Sequence, residues 1–182
     1  LPYDPIKDLA PVAIVAKAPL VIVVNASSPH KDLASLLAAA KAAPKTINYA
    51  TFGSGSAPHL VGALLEQTTG VRLQDVPYRG SAQAMMGLIS GEIQLAIDTV
   101  ASAGPHVRSG KLRALAIAGN DRSRALPTVP TVQELKLPDA AFDGWYAIAA
   151  PARTPAAILA KLQKEVDASM RDTGLQEQVR NQ

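Results

Sequence analysis

The 182-residue chain contains no cysteine, few aromatic residues and no long apolar run. The absence of cysteine excludes disulfides, thiolate metal sites and cysteine nucleophiles. Aromatic residues make up only 4% of the chain and the cationic residues are scattered singly, so no nucleic-acid partner is expected. The longest apolar stretch, 12–24, is interrupted by Lys17 and Pro19 and is shorter than the roughly 20 residues of a membrane span. We therefore expect no stable membrane insertion.

The residues that replace these absent types are mainly Ala, Val, Leu and Ile. Hydrophobic residues form 48% of the chain, a profile typical of Ala-rich helices packed on Val- and Ile-rich strands. The net charge of +3 favours small anions, although a charge this modest is equally compatible with a role in solubility alone. The first five residues lack an initiator Met, a basic start and an apolar core. We expect either a mature chain whose precursor carried a signal peptide, or a fragment of a longer protein.

Strand and helix patterns alternate along most of the chain. Two β-branched runs, 12–16 and 20–24, predict consecutive buried strands. Further strands are predicted at 47–51, 74–77, 93–97, 112–118 and 144–150. Helices are predicted at 32–43, from the loop 52–56 to about 69, from the turn 78–80 to about 90, at 131–135, and after Pro155 with Thr154 as its cap. This alternation with short links predicts a mostly parallel sheet with helices on its faces, followed by a crossing segment or a linker at 119–130.

The first candidate site is a strand that runs into a glycine-rich turn and then a helix, from Thr51 to His59. Two glycines, Gly53 and Gly55, permit tight turns with positive φ, and Ser56 is expected to cap the helix. Unpaired N–H groups and the helix dipole attract an anion there, and the hydroxyls of Thr51, Ser54 and Ser56 add donors. The alternative is a purely structural turn. The pattern lacks the Gly-Lys-Ser/Thr ending of a phosphate loop and the third glycine of a dinucleotide fingerprint.

A second strand–turn–helix repeats this pattern, and an acidic residue follows a third strand. In the second motif Gly80 turns the chain, Ser81 is expected to cap the next helix, and Tyr78 offers a hydroxyl or a ring wall. Arg79 is expected to face solvent. Asp98 follows the predicted strand 93–97, where it either binds a polar ligand atom or caps the next helix. Because strand carboxyl ends share one sheet edge, these motifs are expected to converge on one carboxylate.

Catalytic and metal-binding patterns are missing. The three histidines, at positions 30, 59 and 106, lack metal spacing, and His59 is equally compatible with local packing. No nucleophile elbow is present, so an enzyme with Ser54 or Ser56 as nucleophile ranks below the two binding functions named at the end of this subsection. We therefore predict a binding protein, not an enzyme, with no cofactor and no metal.

Longer motifs are distributed over essentially the whole chain. They are 3–12, Asn48-Tyr49-Ala50, Gly53-x-Gly55-Ser56-x-Pro58-His59-Leu60, Val76-Pro77-Tyr78-Arg79-Gly80-Ser81, 110–116, 126–132 and Ala150-Pro151-Ala152-Arg153-Thr154-Pro155. Together these motifs resemble the Bug-type periplasmic solute-binding receptors of the tripartite tricarboxylate transporter family.

The resemblance implies an α/β protein of the type II periplasmic-binding-protein fold. In that family two lobes joined by crossing strands close on a carboxylated solute, which passes to a membrane permease. Carried over to this sequence, the ligand-binding positions are Thr51, Ser54, Gly55, Ser56, His59, Tyr78, Gly80, Ser81, Ala82 and Asp98. The implied protein is periplasmic, monomeric and free of cofactors.

The chain departs from the family pattern at its start, where the family has a further strand, loop and helix. This departure predicts an incomplete first lobe, with 1–25 as its remnant and the hinge strands. Residues 26–118 would be the second lobe, and 119–182 the return crossing and the C-terminal segment of the first lobe. The leading hypothesis is a carboxylate receptor, and the alternative is a ligand-sensing regulatory domain of the same fold.

Overall fold

A five-stranded sheet organises the larger of the two units into which the chain divides. The computed structural model describes residues 2–180, with side chains as far as residue 176. The larger unit is Pro19–Gly144, and the smaller one joins Leu1–Ala18 to Trp145–Gln182. The division predicted from the sequence is different, into 1–25, 26–118 and 119–182. That division concerns the lobes of the family fold and stays a prediction.

Four of the five strands in the large sheet point in the same direction. Its strands are β2 (Leu20–Asn25), β3 (Asn48–Thr51), β4 (Gln74–Pro77), β5 (Leu95–Thr99) and β6 (Leu112–Ile117), in the order β4-β3-β5-β2-β6. β3 is parallel to β4 and β5, whereas β2 is antiparallel to both β5 and β6. The sheet is therefore mostly parallel, as predicted, with β2 as the one reversed strand.

Helices cover both faces of this sheet. α1 (Leu33–Ala42) and α2 (Ala57–Thr69) pack on one face, and α3 (Ser81–Ser90) and α4 (Val100–Arg108) pack on the other. Successive residues of β2 serve the two cores in turn, because alternate side chains of a strand point to opposite faces. Val21 and Val23 join the α3–α4 core, whereas Ile22 and Val24 join the α1–α2 core. Burial on both faces explains why β2 is continuously apolar.

The third parallel strand lies two residues later than predicted. β5 spans Leu95–Thr99 instead of 93–97, because its last residues pair with the start of β2, Thr99 with Leu20 and Asp98 with Val21. Asp98 is thus part of the strand. The next helix, α4, is capped by Thr99, whose hydroxyl accepts from the Ser102 N–H at 3.2 Å.

The helix predicted at 131–135 is wrong. Thr131 and Glu134 do form the expected reciprocal capping bonds, with the Thr131 N–H on Glu134 Oε2 at 2.9 Å and the Glu134 N–H on Thr131 Oγ1 at 3.1 Å. The chain then leaves helical geometry at Lys136, whose φ is 64°, and Pro138 begins a separate 3-10 helix, Pro138–Ala140. A left-handed residue and a proline stop the helix after its cap.

The smaller unit contains a two-stranded antiparallel sheet, β1 (Leu9–Lys17) with β7 (Trp145–Pro151), and two helices. α5 (Ala156–Met170) packs on β1, and α6 (Thr173–Arg180) follows it. The prediction that Thr154 caps α5 is wrong, because Pro155 has an extended ψ of 139° and is itself the capping residue. No helix in the described part of the chain is long and apolar enough to cross a membrane.

Candidate functional site

The carboxyl ends of β3, β4 and β5 lie at one edge of the large sheet, because these strands are parallel neighbours. Thr51 and Pro77 pair at the ends of β3 and β4, and the Tyr78 N–H donates to the Thr51 carbonyl oxygen at 2.8 Å. The two predicted loops therefore begin side by side. Ligands of open α/β sheets bind at this edge.

The first loop owes its shape to two glycines in the left-handed region. Gly53 has a φ of 97° and Gly55 a φ of 81°, values that side chains rarely tolerate. A Cβ at either position would meet nothing within 4 Å, so the backbone conformation alone requires glycine. The fully buried Thr51 supports this turn, since its Oγ1 accepts from the Gly53 N–H at 3.4 Å.

Ser56 stabilises the loop but does not cap α2 through its side chain, as the sequence pattern predicted. Its hydroxyl donates to the Gly53 carbonyl oxygen at 2.7 Å and accepts from the Phe52 N–H at 3.2 Å. Ser56 still occupies the cap position, with extended backbone, yet its side chain makes no capping bond. The serine is used to close the loop on itself, and the N–H groups at the start of α2 are left open.

Backbone donors at the starts of α2 and α3 have no hydrogen-bond partner among residues 2–180. In the first loop these are the N–H groups of Ser54, Ala57 and His59, beside the exposed Ser54 hydroxyl. At the start of α3 they are the N–H groups of Ser81, Ala82 and Gln83. Two helix N-termini at one sheet edge together form a concentration of partial positive charge.

The second loop differs from the first in its use of serine. Gly80, not Ser81, is the capping residue of α3, and its φ of 169° is ordinary extended backbone. Ser81 is therefore the first residue of the helix, which corrects the prediction that it caps α3. Its hydroxyl, placed inside the first turn, reaches the end of β5 and donates to Asp98 Oδ2 at 2.5 Å.

Asp98 is the buried acidic group of the site, with only 3% of its surface exposed. Its Oδ1 accepts from the Thr99 N–H at 2.7 Å. Burial raises the pKa of Asp98 above its usual range, whereas the hydrogen bonds from Ser81 and Thr99 act in the opposite direction. The structure thus brings together two of the predicted site residues, Ser81 and Asp98.

The Tyr78 side chain lies on α3, and its hydroxyl is directed at Gly87. A Cβ on Gly87 would lie 2.5 Å from the Tyr78 hydroxyl oxygen, so glycine makes room for the ring. That oxygen is buried and has no hydrogen-bond partner among the described residues. Burial, followed by the charge of Glu92, raises the pKa of Tyr78. The ring therefore packs on α3, and its hydroxyl makes no hydrogen bond to the other predicted site residues.

His59 lies in the first turn of α2, where its Nδ1 accepts from the Gly55 N–H at 3.4 Å. The imidazole thereby supports the glycine loop. It also lines a cleft of about 370 Å³ between α2 and β4, which holds Tyr49 and charged groups of both signs. Burial and the nearby Asp75 and Glu66 carboxylates raise the pKa of Tyr49 to about 12. No cluster of three or more metal-ligating side chains occurs in the described part of the chain.

Ser102 is the site residue that the sequence patterns did not single out. Its hydroxyl oxygen contacts the Ser81 hydroxyl oxygen and extends the cluster from β5 and α3 to α4. A sequence signal did exist, because Thr99 and Ser102 are spaced as a helix cap and its first turn. The predicted end of the strand at residue 97 obscured it.

The chain belongs to the family of tripartite tricarboxylate transporter family receptors, whose model matches residues 1–182. It is 35% identical over 177 residues to the protein BugT of Bordetella pertussis, a match covering 97% of this chain and 54% of BugT. The chain thus spans about half the length of the curated relatives it matches.

Solved structures of similar proteins share the fold. The periplasmic binding protein BugD matches with a TM-score of 0.88 and 29% identity, over 98% of this chain and 60% of BugD. Rpa4515 of R. palustris, solved with adipate, has a TM-score of 0.87 and 31% identity over 98% of this chain and 60% of its own. MatC of Rhodopseudomonas palustris, solved with bound malate, has a TM-score of 0.86 and 31% identity over 94% and 58%.

These matches confirm the predicted type II periplasmic-binding-protein fold and the resemblance to Bug-type receptors. The family and the fold are those of solute-binding receptors rather than enzymes. None of these matches favours the alternative of a regulatory domain.

Proposed function

We propose that this protein captures a small organic carboxylate in the periplasm and passes it to the membrane permease of a tripartite tricarboxylate transporter. The observation that carries the proposal is the pair of helix N-termini, of α2 and α3, that open from neighbouring parallel strands. Each supplies backbone N–H groups without a partner in the described part of the chain. An N-terminus carries the equivalent of roughly half a positive charge, so two of them suit a carboxylate.

The similar proteins support the same ligand class. Rpa4515 was solved with adipate and MatC with malate, both dicarboxylates. The family description names a tricarboxylate transporter, which implies the permease as partner. The proposed ligand-binding residues are those predicted from the sequence, namely Thr51, Ser54, Gly55, Ser56, His59, Tyr78, Gly80, Ser81, Ala82 and Asp98.

Open backbone groups at the two helix starts are proposed to hold the ligand carboxylate. The available donors are the Ser54 hydroxyl and the unpartnered N–H groups of Ser54, Ala57, His59, Ser81, Ala82 and Gln83. Thr51, Ser56 and His59 act indirectly, since their side chains bond to the loop backbone. Donors held by a rigid loop lose little entropy when a ligand binds.

The proposal is tested by calorimetry and thermal unfolding of the protein against a panel of mono-, di- and tricarboxylates and their amides. A bound ligand at 100 times its Kd should stabilise the fold by about 2.7 kcal/mol. For a chain of this size, that corresponds to a rise in Tm of roughly 5–10 °C. The absence of any response across the panel would refute the proposal.

A variant at the start of α3 localises the effect. Gly80→Val should weaken binding, because a branched side chain there crowds the open N–H groups. The position has extended backbone, and a Cβ added to it would meet no atom within 4 Å, so the fold should tolerate the change. Ala38→Val, on the exposed part of α1, is the matched control and should leave the affinity unchanged.

A further inference from the structure

A chain of polar contacts connects the ends of β5, α3 and α4 at the candidate site. Asp98 accepts from the Ser81 hydroxyl at 2.5 Å and from the Thr99 N–H at 2.7 Å. The Ser81 oxygen in turn contacts the Ser102 oxygen. Asp98 is buried, whereas Ser81 and Ser102 are both partly exposed at this edge. The buried carboxylate therefore reaches the ligand side only through the two hydroxyls.

Counting protons fixes the direction of this chain when Asp98 is ionised. A carboxylate has no proton to donate, and each serine hydroxyl has one. The single Ser81 proton is used on Asp98, so the proton between Ser81 and Ser102 must come from Ser102. Both hydroxyl protons then point inwards, and the hydroxyl oxygens offer only lone pairs to a ligand.

Within the described part of the chain, the segments that adjoin Asp98 directly carry no charged side chain that would turn the two hydroxyl protons outwards. The adjoining strands β2 and β3, the whole of α3 and the first turn of α4 have no charged side chain. Burial raises the pKa of Asp98, and the bonds from Ser81 and Thr99 act in the opposite direction. The titratable groups on the surrounding elements are Tyr49, His59, Glu66, Tyr78, Arg79, His106 and Arg108.

We propose that Asp98 is a positioning residue that holds the Ser81 and Ser102 protons inwards and so makes this part of the site a hydrogen-bond acceptor. The inference deepens the proposed function and rests on it. The N–H groups at the starts of α2 and α3 would take the ligand carboxylate, and the serine pair would take a donor on the same ligand. The site then selects carboxylates that bear a hydroxyl, an amide N–H or an ammonium group over unsubstituted ones.

Affinities for ligand pairs that differ by one hydroxyl test this selection. The probes are malate against succinate and lactate against propionate, measured by calorimetry on the wild type and on Asp98→Asn. The asparagine oxygen still accepts from the Thr99 N–H, while its amide donates to Ser81 and turns the Ser81 proton outwards. The wild type should prefer the hydroxy acid by about tenfold, the size of one good hydrogen bond. The asparagine variant should lose or reverse that preference.

Two further variants serve as a control and as a second test of the preference for hydroxy acids. Asp32→Asn makes the same chemical change at the exposed cap of α1 and should leave the preference unchanged. Ser102→Ala removes one hydroxyl without touching the carboxylate and should reduce the preference. If Asp98→Asn fails to fold, this variant still decides the question. An equal preference in the wild type and in Ser102→Ala or Asp98→Asn overturns the proposal while the proposed function stands.

A measurement without ligand tests the direction of the hydroxyls separately. Carbon-13 NMR of the Asp98 carboxyl should show the ionised form at pH 7. Its pKa should rise in Ser81→Ala, which removes a donor, and rise less in Ser102→Ala. A neutral carboxyl at pH 7, or a pKa that Ser81→Ala leaves unmoved, overturns the assignment. If no carboxylate binds the wild type, the proposed function fails and takes the ligand selection with it, whereas this titration still decides the role of Asp98.

Discussion

Two loops of this molecule have nearly the same sequence pattern and use it differently. Both follow a parallel strand, contain glycine and serine, and open a helix. In the first loop, Ser56 bonds to the backbone of its own turn, and Gly53 and Gly55 adopt positive φ. In the second, Gly80 is extended and Ser81 bonds to Asp98 on another strand. The first loop is therefore self-contained, whereas the second depends on its tertiary neighbours.

The largest expected difference comes from valine at one glycine of each loop. Gly55→Val should destabilise the protein by roughly 1–3 kcal/mol, because a β-branched residue is forced to a φ of 81°. Gly80→Val should change the free energy of unfolding by less than about 0.5 kcal/mol. A Cβ added at either position would meet no atom within 4 Å, so urea unfolding compares backbone strain alone. Equal losses would contradict the distinction between the loops.

The next effect concerns the tyrosine of the second loop. Gly87→Ala should destabilise the protein by about 1–2 kcal/mol, because the new methyl group would lie 2.5 Å from the Tyr78 hydroxyl oxygen. Tyr78→Phe removes that oxygen and should recover most of the loss in the double variant. Alone, it should be neutral or slightly stabilising, since the hydroxyl is buried without a partner among the described residues. Thermal unfolding of all four proteins completes the cycle, and additive effects would argue against contact between the two residues.

Ser56→Ala tests whether the first loop is held together by the bonds of its own serine. It removes a donor to Gly53 and an acceptor for Phe52, and should cost about 1 kcal/mol of stability. Ser54→Ala, on an exposed neighbour without a partner in the described chain, is the control and should stay within about 0.5 kcal/mol of the wild type. Denaturant unfolding measures both. A loss in Ser54→Ala as large as that in Ser56→Ala would show that the loop is not closed by Ser56.

The smallest effect is a pH dependence of protein stability that arises from Asp98, the bonding partner of Ser81 in the second loop. The folded-state pKa of Asp98 is raised above its ordinary value of 3.8. Below pH 3.8 the carboxyl is neutral in both states; as the pH rises, the unfolded chain ionises first and stability falls until the folded carboxyl ionises too.

Asp98→Asn removes this titration, so its stability relative to the wild type should increase as the pH rises through 3.8 and level off once the folded carboxyl of the wild type has ionised. Urea unfolding at several pH values measures the difference. Ser56→Ala should show no such trend. A relative stability of Asp98→Asn that falls toward neutral pH would mean that the folded pKa is lowered, and would contradict the burial argument.

Most of the elements were predictable because local signals bound them. β4 and α3 have the predicted bounds, since Pro77, Gly80 and Gly91 mark their ends. Predicted element bounds were wrong where a neighbouring residue or a tertiary contact overruled the local signal. The cap at Thr131 formed without its helix because Lys136 turns left-handed, and β5 extended to Thr99 because β2 pairs with it.

For the candidate site, the sequence placed both loops after strands that do end at one sheet edge, whereas the ligand-binding residues stay a prediction. The positive φ of Gly53 and Gly55 was predicted, whereas the burial of the Asp98 carboxylate was not. The contacts made by Ser56, Ser81 and Tyr78 were not, because a hydroxyl has several partners within reach and only packing selects one. Ser102 was not predicted because its contact with Ser81 depends on how α4 packs beside α3.

The sequence by itself therefore determined the α/β alternation, the glycine-dependent turns and the family, because these depend on local periodicity and on motifs. Tertiary structure decided the reversed position of β2, the direction of the Tyr78 ring and the link from Asp98 to two serines. Those features depend on contacts between residues far apart in the chain, where burial and hydrogen-bond geometry choose among locally equivalent arrangements.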